Sequence, residues 1–491
     1  MRKQDHLVQL IQAMTAGEKK HFRQYMAAGD TSKDYKKLFE LLEKSETYDA
    51  DALSTQLKKS KKNLADDKEY LQAILLRSLH SFHAQSMYRA RVFNGLVEAD
   101  ILASKGLMQF ALAHVRKLKK GMIADQENIL YYQALAQEVS IVRAITPGGL
   151  KADEWIKAMG EELIQRLEAG ALNNKLIGLC TRIQDLSADV RYIENKAVQK
   201  EAKELMEEAT QLVKGKKLPS VTNHSYHHLM AQYYFFMGVD TRLSVWHTQQ
   251  AAERYASETR EYQQIHILHY FLCCADLLQA YFELREYKQV ESCIQALKEI
   301  AALHISKQTR SRAERRVFHY SLLLYTATGE YEKALQYIQS DFPAYKKLTS
   351  AEEDLALITL LKAINLFHLQ QHEAALSELL LLLSKDAPAQ LPETRISARA
   401  LNLMIQYETG NRLSLPSYIR AAQRFFTNEG LMTREVKLFL ELMRYLLRHD
   451  KKVPVDAFQK NFKEVYDVHR FELIGYFVIW PWLQRFPKKK L

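Results

Sequence analysis

Five side chains recur in one order and at one spacing at four places in this chain. At Tyr325, Gly329, Tyr331, Ala334 and Ile338 the order is aromatic, turn residue, aromatic, small residue, apolar residue. Tyr281, Arg285, Tyr287, Val290 and Ile294 stand at the same offsets, as do Leu366, Gln370, His372, Ala375 and Leu379. Leu102, Gly106, Met108, Ala111 and Val115 give the fourth copy. The pattern describes a helix hairpin. The first helix ends at the turn residue, where glycine accepts the left-handed C-cap conformation. The aromatic after the turn packs back into the pair, the small residue lets the helices approach, and the last apolar residue faces the same seam one turn on. A hairpin of this kind cannot bury its face alone, so copies must stack.

The rest of the chain reads as helix too. Glycine (16) and proline (9) are scarce among 491 residues, against usual shares of about 7% and 5%. "LVQLIQAM" sets Leu7, Leu10, Ile11 and Met14 on one face, the spacing of an amphipathic helix. Thr15 followed by Glu18 is a capping-box signature for the next helix. "DYKKLFELLEK" and "DALSTQLKKS" read as two more helices, and a longer one follows with Tyr70, Leu71, Ile74, Leu75 and Leu79 as its apolar side. No period-two strand pattern stands out. Residues 1–95 are expected to form a helical bundle, and 96–491 a helical solenoid with C-terminal capping helices. "ITPGGL", "KGKKLPS", "DAPAQLPET" and "DKKVPVD" are the expected loops.

The turn and second-helix start "GEYEKAL" resembles the tetratricopeptide repeat family. That family repeats every 34 residues or so. Here Tyr287 to Tyr331 is 44 (331 − 287) and Tyr331 to His372 is 41 (372 − 331). The resemblance is to irregular, longer hairpins, carried best by residues 260–383. It implies an all-α fold, a right-handed α-α superhelix, and work as a scaffold or adaptor that binds a peptide or protein partner in a groove lined by the first helices. The groove positions lack the lysine and asparagine set with which some members of that family clamp a carboxylate. Leu272, Ala275, Gln279, Leu323, Leu360 and Ile364 stand there instead, which favours an apolar or helical ligand.

The net charge is +11 and the isoelectric point about 9.1, which favours an acidic partner. Arg310, Arg312, Arg315 and Arg316 crowd the start of one helix, with Arg312, Arg315, Arg316 and His319 on one side. Arginine there recognises carboxylate or phosphate, and the alternative is a solvated face paired with Glu314. With Leu323 and Gln279 these residues form the expected partner-binding groove. A second basic run, Lys58, Lys59, Lys61 and Lys62, could contact nucleic-acid phosphates, so a nucleic-acid-associated regulator is the alternative function.

Neither a phosphate-binding glycine loop, a G-x-S-x-G elbow nor an H-E-x-x-H motif occurs, and no catalysis or cofactor is expected. His224 and His228, with His227 near them, stand one helical turn apart, a spacing that can share zinc, but neither a third ligand nor a neighbouring carboxylate is visible. They, His266 with His269, and His80 with His83 read as packing residues. Cys273 and Cys274 read as buried small apolar residues, and with only Cys180 and Cys293 besides, no disulfide framework is expected and a reducing cytoplasm fits. The apolar run "LIGYFVIWPWL" (Leu473 to Leu483) is too short to span a bilayer. It is expected to close the array, with the lysines after it as a soluble tail.

Overall fold

A computed structural model describes residues 5–28, 33–44, 49–122, 128–145, 150–187, 196–237, 239–303, 305–349, 351–384, 392–449, 454–468 and 479–486. Among them are 24 α-helices and no strand, as the helical periodicity requires. The expected loops at 146–149, 386–391 and 450–453 lie outside the described residues, as do 473–478 and the lysines at 488–490. No described helix is long and apolar enough to cross a membrane. The chain forms two compact units, Met1–Glu168 and Ala169–Leu491.

The first unit holds α1 (His6–Ala13), α2 (Ala16–Ala28), α3 (Lys33–Lys44), α4 (Ala50–Leu57), α5 (Lys61–His83), α6 (Tyr88–Ser104), α7 (Met108–Lys120) and α8 (Asn128–Ile145). It has two cores. One joins α1 to α5 through Leu7, Ile11, Phe22, Phe39 and Leu71. The other joins α6 to α8 through Leu96, Ala111, Val115 and Leu130. Thr15 and Glu18 make the reciprocal capping box: the Thr15 amide donates to Glu18 Oε2 at 2.6 Å, and the Glu18 amide to Thr15 Oγ1 at 3.3 Å. Tyr70 departs from its expected apolar face. It is 46% exposed and its ring lies 4.6 Å from that of Tyr35, while Leu71, Ile74 and Leu75 are buried.

The division between the units falls inside α9 (Leu150–Ser187). The second unit continues with α10 (Lys196–Val213), α11 (Ser220–Phe236), α12 (Thr241–Ala256), α13 (Arg260–Ile265), α14 (Ile267–Glu283), α15 (Tyr287–Ala302), α16 (Lys307–Ala327) and α17 (Tyr331–Tyr345). It ends with α18 (Glu352–His368), α19 (His372–Leu383), α20 (Pro392–Glu408), α21 (Leu415–Asn428), α22 (Arg434–Arg448), α23 (Asp456–Val468) and α24 (Trp480–Leu483).

The four copies of the five-point pattern fold alike. Their turn residues Gly106, Arg285, Gly329 and Gln370 all have left-handed backbones, with φ of 78°, 61°, 78° and 61°. In each, the amide after the turn residue donates back to the carbonyl of the first pattern residue: Leu107 to Leu102 at 3.0 Å, and Glu286 to Tyr281, Glu330 to Tyr325 and Gln371 to Leu366 at 2.9 Å. This closes the orphan carbonyls of the first helix in a Schellman turn. The third residue opens the second helix in every copy. The fourth residue, Ala111, Val290, Ala334 or Ala375, is fully buried, at 0% exposure.

The aromatic after the turn also reaches the next hairpin: the Tyr331 ring lies over its own turn at Gly329 and stacks on His368 of α18, 4.6 Å away. Two further left-handed glycines, Gly410 (φ 75°) and Gly430 (φ 68°), close α20 and α21 with the same bond. There the next helix starts five (415 − 410) and four (434 − 430) residues on, rather than two (331 − 329), so the pattern does not repeat in sequence. The helices α14, α16, α18, α20 and α22 each touch the next in that series.

Residues 479–486 fasten the C-terminal ends of α18 and α20. Ile479, Trp482 and Leu483 are fully buried. Trp482 Nε1 donates to Glu408 Oε1 at 2.6 Å, and Arg485 Nη2 donates to His368 Nδ1 at 2.8 Å. This part of the apolar C-terminal run thus packs onto the array, as the sequence suggests.

Substituting Ala334 with Leu forces a branched side chain into a seam with no exposed surface and is expected to cost about 1–3 kcal/mol of stability. Gln336→Leu, at an exposed position of the same helix, is expected to change stability by less than about 0.5 kcal/mol. Urea unfolding of the two variants, followed by circular dichroism, checks the contrast.

Candidate functional site

The basic start of α16 is built by its neighbours as much as by its own sequence. Ser306 caps the helix by accepting the Thr309 amide at 3.1 Å. Arg310 reaches back to the carbonyls of Ala301 and Leu303, each at 3.1 Å, and so caps the end of α15. Arg315 pairs with Asp354 of α18 at 2.6 Å rather than with Glu314. The same Asp354 oxygen accepts from Thr349 Oγ1 at 2.9 Å. Arg312 and Arg316 are exposed, and neither makes an ion pair among the described residues; the Arg316 guanidinium lies 6.0 Å from the Tyr320 ring centre.

The other expected groove residues divide. His319 is half-buried with its ring tilted against Tyr345, 5.8 Å away. Burial pushes its pKa down to about 4, so at neutral pH it carries no charge toward a partner. Gln279 and Leu272 on α14 are half-buried. Leu323, at 5% exposure, belongs to the core, and so do Ala275, Leu360 and Ile364. The apolar groove floor expected from the sequence is therefore already packed within the protein. Arg312 and Arg316 remain open, with Arg315 beside them.

The lysine run of the first unit is partly neutralised. Lys59 pairs with Asp67 and Lys61 with Asp51, both at 2.6 Å. Lys58 ends α4 in a left-handed conformation, φ 52°, and Lys62 is exposed. Two of the four thus each hold a carboxylate.

The histidines give the arrangement that sequence reasoning missed. On α11, His224 and His228 lie one turn apart. On α14, His269, Cys273 and Asp276 share a face at spacings of four and three. The fold sets these faces together. The rings of His228, His224, His269, His266 and Tyr262 follow one another at centroid distances of 5.9, 4.3, 4.9 and 4.0 Å. Asp276 closes one end, accepting from His228 Nδ1 at 2.8 Å and from Gln232 Nε2 at 3.0 Å. Cys273 Sγ lies 3.7 Å from His224 Nδ1. Beside this ladder, His227 and His247 approach through their Nδ1 atoms at 2.9 Å, so one ring donates and the other accepts. The i, i+4 and i, i+3 spacings were legible on each helix, but not their meeting. Among the described residues no group of three His, Cys, Asp or Glu could hold a metal ion. All four cysteines are buried and free. His83 is remote in sequence from this cluster and bonds Glu18 Oε1 at 2.6 Å within the first unit.

His228 titrates in the opposite sense to His224, His269 and His266. Burial alone would lower the His228 pKa, but the Asp276 charge and hydrogen bond outweigh it and raise the pKa to about 10. A raised pKa contributes stability that is complete below the unfolded value of about 6.5 and is lost as pH rises toward 10. The His228–Asp276 pair is thus expected to give up about 2–4 kcal/mol between pH 7 and 10. Denaturant unfolding across that range should show the loss in the native chain and a flatter profile in His228→Gln.

No protein-family model matches this chain, and neither a curated protein nor a solved structure matches it.

Proposed function

We propose that the protein is a non-enzymatic scaffold, a right-handed superhelix of tetratricopeptide-like hairpins whose α16 face binds an acidic segment of a protein partner. The contact series from α14 to α22 supports a continuous face made by the first helices of successive hairpins. The observation that carries the reading is the state of the arginines. Arg312 and Arg316 project one helical turn apart with no carboxylate of their own, while Arg315 between them is already satisfied by Asp354. Two guanidiniums without an ion-pair partner among the described residues, at that spacing, suit successive carboxylates or a phosphorylated side chain. The buried state of Leu323, Leu360 and Ile364 turns the reading away from an apolar ligand. Nucleic acid is the weaker partner, because two of the four lysines at 58–62 already hold carboxylates.

A fluorescein-labelled oligo-glutamate peptide is expected to bind the whole protein at low salt and to weaken as salt rises. The double variant Arg312→Glu, Arg316→Glu should weaken binding by about tenfold or more. Fluorescence anisotropy measures both. Equal affinity of the double variant, or equal affinity for an oligo-glutamine peptide, would sink the proposal; binding of a DNA duplex abolished by Lys58→Glu with Lys62→Glu would favour the nucleic-acid reading instead.

A further inference from the structure

The histidine ladder takes no part in binding at the α16 arginines, and its composition is unusual for a helix seam. Helix seams are ordinarily closed by apolar side chains, yet α11 meets α14 through imidazoles. His224 is 6% exposed and His266 only 1%. Nδ1 of His269 is buried with no hydrogen-bond partner among the described residues.

The charges around the ladder are few. From α14, Asp276 is the carboxylate bonded to a ladder ring, and it is already committed to His228. The remaining ionisable groups of α14 there are the thiols of Cys273 and Cys274 and the Tyr270 phenol. From α9 comes the Cys180 thiol beside His228, from α13 Tyr262 on His266, and from α12 His247 on His227. From α16, Tyr320, with Arg316 beside it, faces Asp276. A proton added to His224, His269 or His266 therefore meets imidazoles, neutral thiols and phenols, and a carboxylate whose charge is spent.

We propose that the α11–α14 seam is an acid-operated latch: proton uptake by the ladder parts α11 from α14 while α18 to α22 remain folded. Burial and the neighbouring imidazoles hold His224 neutral, and burial lowers the His269 and His266 pKa values to about 4 and about 3. Their stabilising effect is complete above the unfolded value of about 6.5 and is lost as pH falls toward 4. At pH 5 each such histidine favours the open state by on the order of tenfold, so two or three together shift the opening equilibrium by roughly a hundredfold or more.

Hydrogen exchange of the full chain, resolved by peptide and corrected for the intrinsic pH dependence of exchange, tests this. Between pH 7.5 and pH 5, protection of α11 and α14 should fall by roughly a hundredfold while that of α18 and α20 holds. The double variant His224→Phe, His269→Phe keeps an aromatic ring at both positions without their proton sites, and with His266 alone remaining it should lose no more than roughly tenfold of its protection at pH 5. If that variant fails to fold, Asp276→Asn serves: it frees His228 to join the neutral set, so opening should begin at higher pH and rise more steeply. Unchanged α11 protection at pH 5, simultaneous loss across α11 and α20, or a double variant that opens like the native chain would each overturn the proposal.

Discussion

A single backbone hydrogen bond, made possible by one left-handed residue, sets the register of the four hairpins that carry the five-point pattern. The amide that follows the turn residue returns to the carbonyl five residues earlier in all four copies of the pattern. This satisfies one of the carbonyls that a helix end leaves unpaired and fixes where the second helix begins. Once Tyr287, Tyr331 and His372 are set as first residues of their helices, the side chain three positions on must face the first helix at close range. Val290, Ala334 and Ala375 stand there fully buried. The apolar contacts of the unit then follow from that register, and a one-residue slip would rotate each second helix by about 100° away from its seam.

Polar groups inside the second unit complement this apolar register. Asn365 donates to Thr326 across α18 and α16 at 3.0 Å. Trp482 reaches Glu408, and Arg485 reaches His368, whose ring is the platform for Tyr331. Each joins elements far apart in sequence. A buried polar group left without its partner costs about 1–3 kcal/mol, so such bonds penalise alternative packings more than they add net stability. The histidine ladder is the extreme case, since there the penalty depends on protonation.

The hairpins were legible because their determinants are local. Gly329 and Ala334 report a turn and a close approach within six residues of each other, and both survive in the structure as read. Arg285 and Gln370 show that the turn tolerates other residues at a strain cost, which is why spacing served better than identity. Gly410 and Gly430 fall outside the five-point pattern because their second helices start later. The candidate site was legible only in part. Arg312 and Arg316 were visible as a charge cluster, but the partner of Arg315 lies 39 residues away at Asp354, and helical spacing on α16 alone could not supply it. The same holds for Leu323, whose helix position suggested a groove while the neighbouring hairpins bury it. The ladder was hidden for the same reason: His224 and His269 are 45 residues apart (269 − 224), and only tertiary packing stacks them.

The left-handed turn holds the hairpins in register, and Gln370 allows a test by sign. At an ordinary helical or extended position, replacement by glycine costs about 0.5–1 kcal/mol in backbone entropy. At φ 61° the replacement instead relieves a left-handed strain of about 1–2 kcal/mol. The measurement is the urea-unfolding free energy of Gln370→Gly beside Gly329→Ala. Stabilisation of the first by a few tenths of a kcal/mol or more, with destabilisation of the second by about 1 kcal/mol, is the result this structure requires. A Gln370→Gly protein less stable than the native chain would contradict it.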